Sequence, residues 1–197
     1  MLRFIYFTVK MCRYTRILFS TSISYLSLWL NGVRIGSGLL FDGVPRIVNH
    51  PKMGRVVIGN RCRFNSSFKS NLIGINHKCI ISTHLEGSEI LIGEKCGFSG
   101  TVIACFKSIV IGNHVRCGAN TVITDSDWHL DDPRVGPPRP IVIKDNVWLG
   151  YNVVVLKGVT IGENSIIGAG SVVVSDIPAN VVAAGNPCVV VKHLEIE

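Results

Sequence analysis

A hydrophobic period of six constrains this chain more than any other feature. From residue 143 a bulky aliphatic returns at every sixth position: Ile143, Leu149, Val155, Ile161, Ile167 and Val173. Glycine often follows it, at Gly150, Gly162 and Gly168. Four residues after the aliphatic comes a small or β-branched residue: Val147, Val153, Val159, Ser165 and Ser171. The same unit occurs upstream at Ile58-Gly59, Ile92-Gly93, Ile111-Gly112 and Cys117-Gly118. A helix repeats every 3.6 residues and a strand every 2, so neither alone explains this pattern. A solenoid does: each hexapeptide makes one flat side, and three sides make an 18-residue triangular coil. The aliphatic faces inward and stacks on its counterpart in the next coil. Gly and Asn suit the left-handed backbone that corners need, which accounts for 20 glycines and for Asn113, Asn146, Asn152 and Asn164.

The period breaks twice. Ile92 and Ile111 are separated by one residue more than three units, which predicts a bulge. A larger interruption runs from Asp125 to Pro140, DSDWHLDDPRVGPPRP, with four prolines. It reads as a solvent-facing loop thrown out of a rigid scaffold, a place where function concentrates. The loop holds His129 among Asp127, Trp128, Asp131 and Asp132. An imidazole titrates near neutrality and so serves as a general base.

The net charge of +7 is concentrated at one end. Residues 1–55 carry eight Lys/Arg and a single acid, Asp42, while the remainder has twelve of each sign. Basic residues beside an apolar run suit an anionic membrane surface better than a nucleic-acid groove. That run, Ile17 to Leu30, falls short of the roughly 20 residues that span a bilayer. No small-residue cleavage site follows it, only Asn31-Gly32-Val33-Arg34. The expectation is a helix within residues 1–30 that packs on the body or touches a membrane surface. The seven cysteines are scattered without a CxxC pair, which fits small core residues in a reducing, cytoplasmic compartment rather than a disulfide framework. Cys62 and Cys96 fall in the small inward slot, Cys117 in the aliphatic one. The organisation expected is a basic, helical segment over 1–55, the repeat body over 56–178 with its loop at 125–140, and a C-terminal tail over 179–197.

Three runs carry a resemblance: Ile141-Val-Ile-Lys-Asp-Asn-Val-Trp148-Leu-Gly150; Lys157-Gly-Val-Thr-Ile-Gly162-Glu-Asn-Ser165-Ile-Ile-Gly168-Ala-Gly170-Ser171; and Asp176-Ile-Pro178-Ala-Asn180-Val-Val-Ala-Ala184-Gly185-Asn-Pro187. They closely resemble the hexapeptide-repeat acyltransferases, nearest the maltose and galactoside O-acetyltransferases and the sugar O-acetyltransferases of cell-surface polysaccharide pathways. The resemblance is strong over residues 90–192 and weaker over 56–90. It implies an all-β, left-handed parallel β-helix; periodicity alone does not set the hand, and most parallel crossovers are right-handed. It further implies a homotrimer in which acetyl-CoA, without a metal, acetylates a sugar hydroxyl directly in a ternary complex. His129 takes the position of the family's loop histidine, the general base. Asp127, on the acceptor side, is a candidate to orient the imidazole. Trp148 would wall the pantetheine groove, Tyr151 and Ala169 would touch the pantetheine, and Lys192 would meet a nucleotide phosphate. Ser175 stands where the family often has Lys, Val189 where it has Arg, and Ser99 where many relatives have an acceptor-touching Asn. The phosphate contacts and the acceptor site therefore depart from the family pattern.

Other enzymes with this repeat fit less well. A γ-type carbonic anhydrase needs three converging histidines, and the spacings of His77, His84, His114 and His129 do not stack on an 18-residue coil. A serine acetyltransferase normally has a longer N-terminal helical domain, and a fused nucleotide-sugar pyrophosphorylase needs a whole nucleotide-binding domain. A non-catalytic trimeric scaffold is the non-enzymatic alternative.

Overall fold

The computed structural model describes residues 2–49 and 54–195 and, in the N-terminal helix, side chains from Lys10 onward. Arg3 and Lys52 of the basic segment therefore lie outside the described side chains. The chain winds as a left-handed parallel β-helix with three flat sides. Sheet A stacks the strands Arg34–Ile35, Gly54–Ile58, Ser88–Ile92, Ser108–Ile111, Ile141–Ile143 and Thr160–Ile161. Sheet B stacks Leu40–Asp42, Arg63–Asn65, Gly97–Ser99, Arg116–Ala119, Trp148–Leu149, Ile166–Ile167 and Val181–Ala184. Sheet C stacks Arg46–Val48, Ile80–Thr83, Val102–Cys105, Val122–Thr124, Val154–Val155 and Val172–Val173. The register advances by whole coils where the period is regular: Ile143 pairs with Ile161, Leu149 with Ile167 and Val155 with Val173.

The core is the six-residue period made solid. Sheet A contributes a buried column from Ile58 through Ile92, Ile111 and Ile143 to Ile161. Sheet C contributes Ile47, Ile81, Ile103, Ile123, Val155 and Val173. Sheet B changes size along its length. Phe41, Phe64 and Phe98 stack at centroid spacings of 5.1 and 4.9 Å, and Cys117, Leu149, Ile167 and Ala183 continue the column. Removing one of these rings would open a cavity that a rigid coil cannot close, at a cost of about 3–5 kcal/mol. Six of the seven cysteines are buried free thiols, Cys62, Cys96 and Cys117 in the slots their spacing predicts. Burial pushes the thiols of Cys79, Cys105 and Cys117 up, away from the reactive thiolate.

Corners behave as the composition suggests. Asn146, Asn152, Asn164 and Asn180 all adopt positive φ between 56° and 60°. At the upstream corner the left-handed residue is His114, φ 58°, rather than the expected Asn113, whose amide oxygen instead accepts from the Glu94 N–H. The extra residue between Ile92 and Ile111 is taken up at the corners, and the expected irregularity falls on the strand Gly97–Ser99 where it pairs with the next coil. The C–A corner at Phe106–Lys107 is longer and the B–C corner at Gly100–Thr101 shorter than a regular turn. The register then shifts in the next coil, where Phe98 pairs with Cys117 but Ser99 with Ala119.

Both ends of the repeat differ from the expected boundaries. The first coil begins at Arg34, not at residue 56, so residues 34–48 belong to the body. The reason is visible in the chain: Ile35, Phe41 and Ile47 keep the six-residue spacing, but only Ile35 is followed by Gly. At the other end Val181–Ala184 is a further strand of sheet B, and Val189–His193 folds back antiparallel along it. A solenoid exposes raw sheet edges at its ends, and such edges must be covered.

The N-terminal cover is helix α1, Leu2–Leu30. It lies along the edge strand Leu40–Asp42 and replaces the missing neighbour with side chains. Thr21 Oγ1 accepts from the Phe41 N–H at 3.1 Å, Tyr25 Oη from the Leu39 N–H at 3.1 Å and Ser20 Oγ from the Gly43 N–H at 3.2 Å. Ser24 and Leu28, on the inner face of the helix, are fully buried. Arg16 grips the buried Asp42 carboxylate through Nε at 2.8 Å and Nη2 at 3.2 Å. A bidentate grip of this kind is what keeps a buried carboxylate tolerable. Among the described residues, no helix is long and apolar enough to cross a membrane.

Candidate active site

The loop 125–140 leaves the body at the corner between sheets C and A, between Val122–Thr124 and Ile141–Ile143. Its first residue anchors it. Asp125 is fully buried, and its carboxylate accepts the backbone N–H groups of Phe106, Lys107 and Ser108 at 2.6, 2.7 and 2.8 Å. One side chain therefore fixes both the exit of the loop and the corner of the preceding coil. Further out, Lys157 Nζ donates to Asp127 Oδ2 at 2.5 Å and to the Gly136 carbonyl at 2.9 Å, joining both limbs of the loop to the body. Arg139 closes it, with its N–H on the Asp125 carbonyl and its carbonyl accepting from Gly158.

His129 sits on the exposed outer turn of this loop, its N–H donating to the Asp127 carbonyl at 3.0 Å. Beside it an aromatic wall descends the corner. Trp128 stands edge-on to Phe106 at 5.3 Å and to His84 at 4.8 Å, and His84 stacks on Phe106 at 4.4 Å. Trp128 adopts φ 73°, an uncommon conformation for a bulky residue, and its indole N–H donates to Thr124 Oγ1 at 3.2 Å. His84 shares a 2.9 Å hydrogen bond with Ser82 Oγ, and burial lowers its pKa against the opposing pull of Asp125. Sequence reasoning gave Asp125 no role beyond opening the loop, weighed His84 only as a metal ligand, and passed over Phe106. Only the common offset of His84, Phe106 and Asp125 from the ends of the sheet C strands could have flagged them.

The remaining sequence-selected residues fall elsewhere. Ser175 is exposed just past the sheet C strand Val172–Val173, on the C–A corner that carries His129 and Asp127. Tyr151 and Ala169 occupy the B–C corner in successive coils, where the Gly170 N–H donates to the Tyr151 carbonyl. Ser99 lies buried on that side, its hydroxyl accepting from Asn65 and Asn71 at 3.1 and 3.2 Å. Trp148 is half-exposed on sheet B and borders a groove of about 190 Å³ with His114, Arg116, Asn146, Asn164 and Ile166. Lys192 is exposed on the antiparallel terminal strand. The Asp127 carboxylate is engaged by Lys157 rather than by the imidazole. His77, His84 and His114 sit at three different corners. Among the described residues, no three His, Cys, Asp or Glu side chains converge as a metal site.

One chain thus presents two chemically distinct corners. The C–A corner carries the imidazole. The B–C corner carries Tyr151, Ala169 and a strip of half-buried backbone at Gly118, Gly150 and Gly168. A Cβ on Gly118 or Gly150 would lie 2.6–2.7 Å from the backbone of the next coil, so only glycine lets these coils stack. One side of a coil, sheet C, separates the two corners.

The fold is shared with solved hexapeptide-repeat acetyltransferases. Residues 140–175 match the family described as bacterial transferase hexapeptide (six repeats). The chain resembles the galactoside O-acetyltransferase of Lactococcus lactis, 47% identical over 91 residues, covering 44% of each protein. It also resembles that of Escherichia coli, 42% identical over 114 residues, covering 55% of this chain and 56% of the relative. The chain spans about half the length of the curated relatives it matches. Among solved structures, the Bacillus cereus N-acyltransferase AntD, in complex with dTDP-4-amino-4,6-dideoxyglucose and coenzyme A, superposes with TM-score 0.67. The identity is 19%, over 88% of this chain and 90% of AntD, a likeness of fold. A hexapeptide-repeat acetyltransferase of Vibrio cholerae, complexed with acetyl coenzyme A, gives TM-score 0.51 at 26% identity over 82% of this chain and 70% of that one.

Proposed function

We propose that this protein is an acetyl-CoA-dependent O-acetyltransferase that modifies a hydroxyl of a sugar or surface-polysaccharide precursor. The observation that carries the proposal is the pinned loop. A histidine stands exposed on a segment fixed by Asp125 and Lys157, directly before the residues that match the transferase repeat. The thioester is already activated, so no protein nucleophile is needed, and the buried cysteines are not called upon. His129 accepts the proton of the acceptor hydroxyl as its oxygen attacks the thioester carbonyl. Backbone N–H groups at a coil corner stabilise the developing oxyanion. The coenzyme A thiolate leaves and recovers the proton from the imidazolium.

The donor is proposed to lie along Trp148, Tyr151 and Ala169, with Lys192 toward its phosphates and Ser175 making the weaker contact where relatives have lysine. Because imidazole and donor strip occupy different corners, a complete site forms between neighbouring copies, which supports a homotrimer. Ser99 and Asp127 are assigned to the acceptor side, with Asp127 acting through Lys157 to hold the loop. A cytoplasmic location suits the free thiols.

The test is thiol release from acetyl-CoA across a panel of sugars, nucleotide sugars and polysaccharide fragments. Acceptor-dependent release by the wild type, lost in His129→Ala, is expected. Full turnover by His129→Ala on an accepted sugar would exclude this mechanism.

A further inference from the structure

Helix α1 uses only one face to cap the solenoid, and its other face is unusual. The side turned away from the body presents Leu18, Phe19, Ile23, Leu26, Trp29 and Leu30 to solvent, with Phe19 71% and Trp29 73% exposed. A contiguous apolar face of this size marks an interaction surface. The hydroxyls that interrupt it are already satisfied: Thr15 Oγ1 donates to the Met11 carbonyl and Ser22 Oγ to the Leu18 carbonyl, both at 3.1 Å. The face therefore offers almost no polar group that burial would strand.

Charge identifies the occupant. The helix contains no Asp or Glu, and its first half carries Arg3, Lys10, Arg13 and Arg16. Arg16 is neutralised by Asp42, but Lys10 is exposed and Arg13 is 53% exposed with its guanidinium 3.7 Å from that carboxylate. A second copy docked through this face would bring no acidic side chain to these cations, since the helix has none. An anionic bilayer would neutralise them within one Debye length, about 8–10 Å. Because α1 covers the end of the coil stack, its apolar face points along the solenoid axis, away from the strands it caps.

We propose that helix α1 is an in-plane anchor that seats the protein on an anionic phospholipid surface, with Phe19, Leu26 and Trp29 entering the acyl boundary. The inference rests on the helix alone and is independent of the enzymatic reading.

The test is co-sedimentation of the full chain with phosphatidylcholine vesicles and with vesicles of seven parts phosphatidylcholine to three parts phosphatidylglycerol. The wild type is expected to partition at least tenfold more strongly onto the anionic vesicles, and 0.5 M salt to reverse most of that preference. The double variant Phe19→Ser/Trp29→Ser, checked by circular dichroism for an intact fold, is expected to lose at least 90% of binding. Lys10→Glu, which leaves the apolar face whole, is expected to weaken anionic binding several-fold. Equal sedimentation of wild type and Phe19→Ser/Trp29→Ser would overturn the proposal. So would a change of oligomeric state in that variant by analytical ultracentrifugation, which would assign the face to contact between copies.

Discussion

Replacing Asp125 with Ala tests how the loop is held. The carboxylate is fully buried and accepts three backbone N–H groups at 2.6–2.8 Å, with the Cys105 thiol at 3.5 Å. A hydrogen bond to a charged group contributes about 1.5–3 kcal/mol, and each buried donor left without a partner costs about 1–3 kcal/mol. Three donors on one short corner share that loss, and water can enter the gap, so the sum is not simply three times one bond. The expected destabilisation of Asp125→Ala is roughly 4 kcal/mol from these bond values. For a chain of this size that is a fall in Tm of about 8–16 °C. Asp125→Asn keeps the shape but retains a single accepting oxygen, and should fall between Ala and wild type. The assay is thermal unfolding by circular dichroism at one fixed protein concentration, so that any oligomerisation is held constant. A Tm within 2 °C of wild type for Asp125→Ala would refute the reasoning, because it would mean the three N–H groups find other partners at no cost.

Three further outcomes follow from the same geometry. Gly150→Ala places a Cβ 2.7 Å from the Ala169 nitrogen and 2.8 Å from the Ile167 carbonyl oxygen; with only backbone to displace, it should lose about 1–3 kcal/mol in urea titration. His84 has its pKa lowered by burial, so the unfolded chain binds the proton first as pH falls. Its neutral form therefore supports folding fully above about pH 6.5, the ordinary histidine value, and that support is lost as pH drops below it. Tm measured from pH 7 to pH 5 should fall more steeply for the wild type than for His84→Phe, which keeps the stacking. Lys157→Met releases Asp127 and Gly136 together, and tryptic cleavage after Arg134 should quicken about fivefold, the equivalent of a tether of roughly 1 kcal/mol.

Much of this molecule was legible in the chain because a solenoid writes its geometry directly into its period. Ile143, Leu149 and Val155 name the three sides of a coil, and their partners 18 residues on fall into register with them. Legibility fails where the inward residue is aromatic or the signature glycine absent, as at Phe41 and Ile47, so the first coil does not stand out from the leading segment. It failed at Val181–Ala184 because tighter final turns shorten the spacing. His129 stood out as the loop's single histidine, but its surroundings did not. Asp125 binds a corner 17–19 residues earlier, and the wall of His84, Phe106 and Trp128 joins three separate coils. Such neighbours are set by how insertions fold at a corner, which no period records. The separation of the imidazole from Tyr151 and Ala169 likewise becomes apparent only once each corner is assigned.

His129, on a loop fixed to the repeat, is proposed to remove the acceptor proton. The most direct measurement is the kcat of acceptor-dependent thiol release for His129→Ala beside the wild type, with acetyl-CoA saturating and the fold verified by circular dichroism. A positioned general base contributes about 10²–10⁴-fold, and a fall of that size with little change in the acetyl-CoA KM is expected. A variant turning over within threefold of the wild type would contradict the claim.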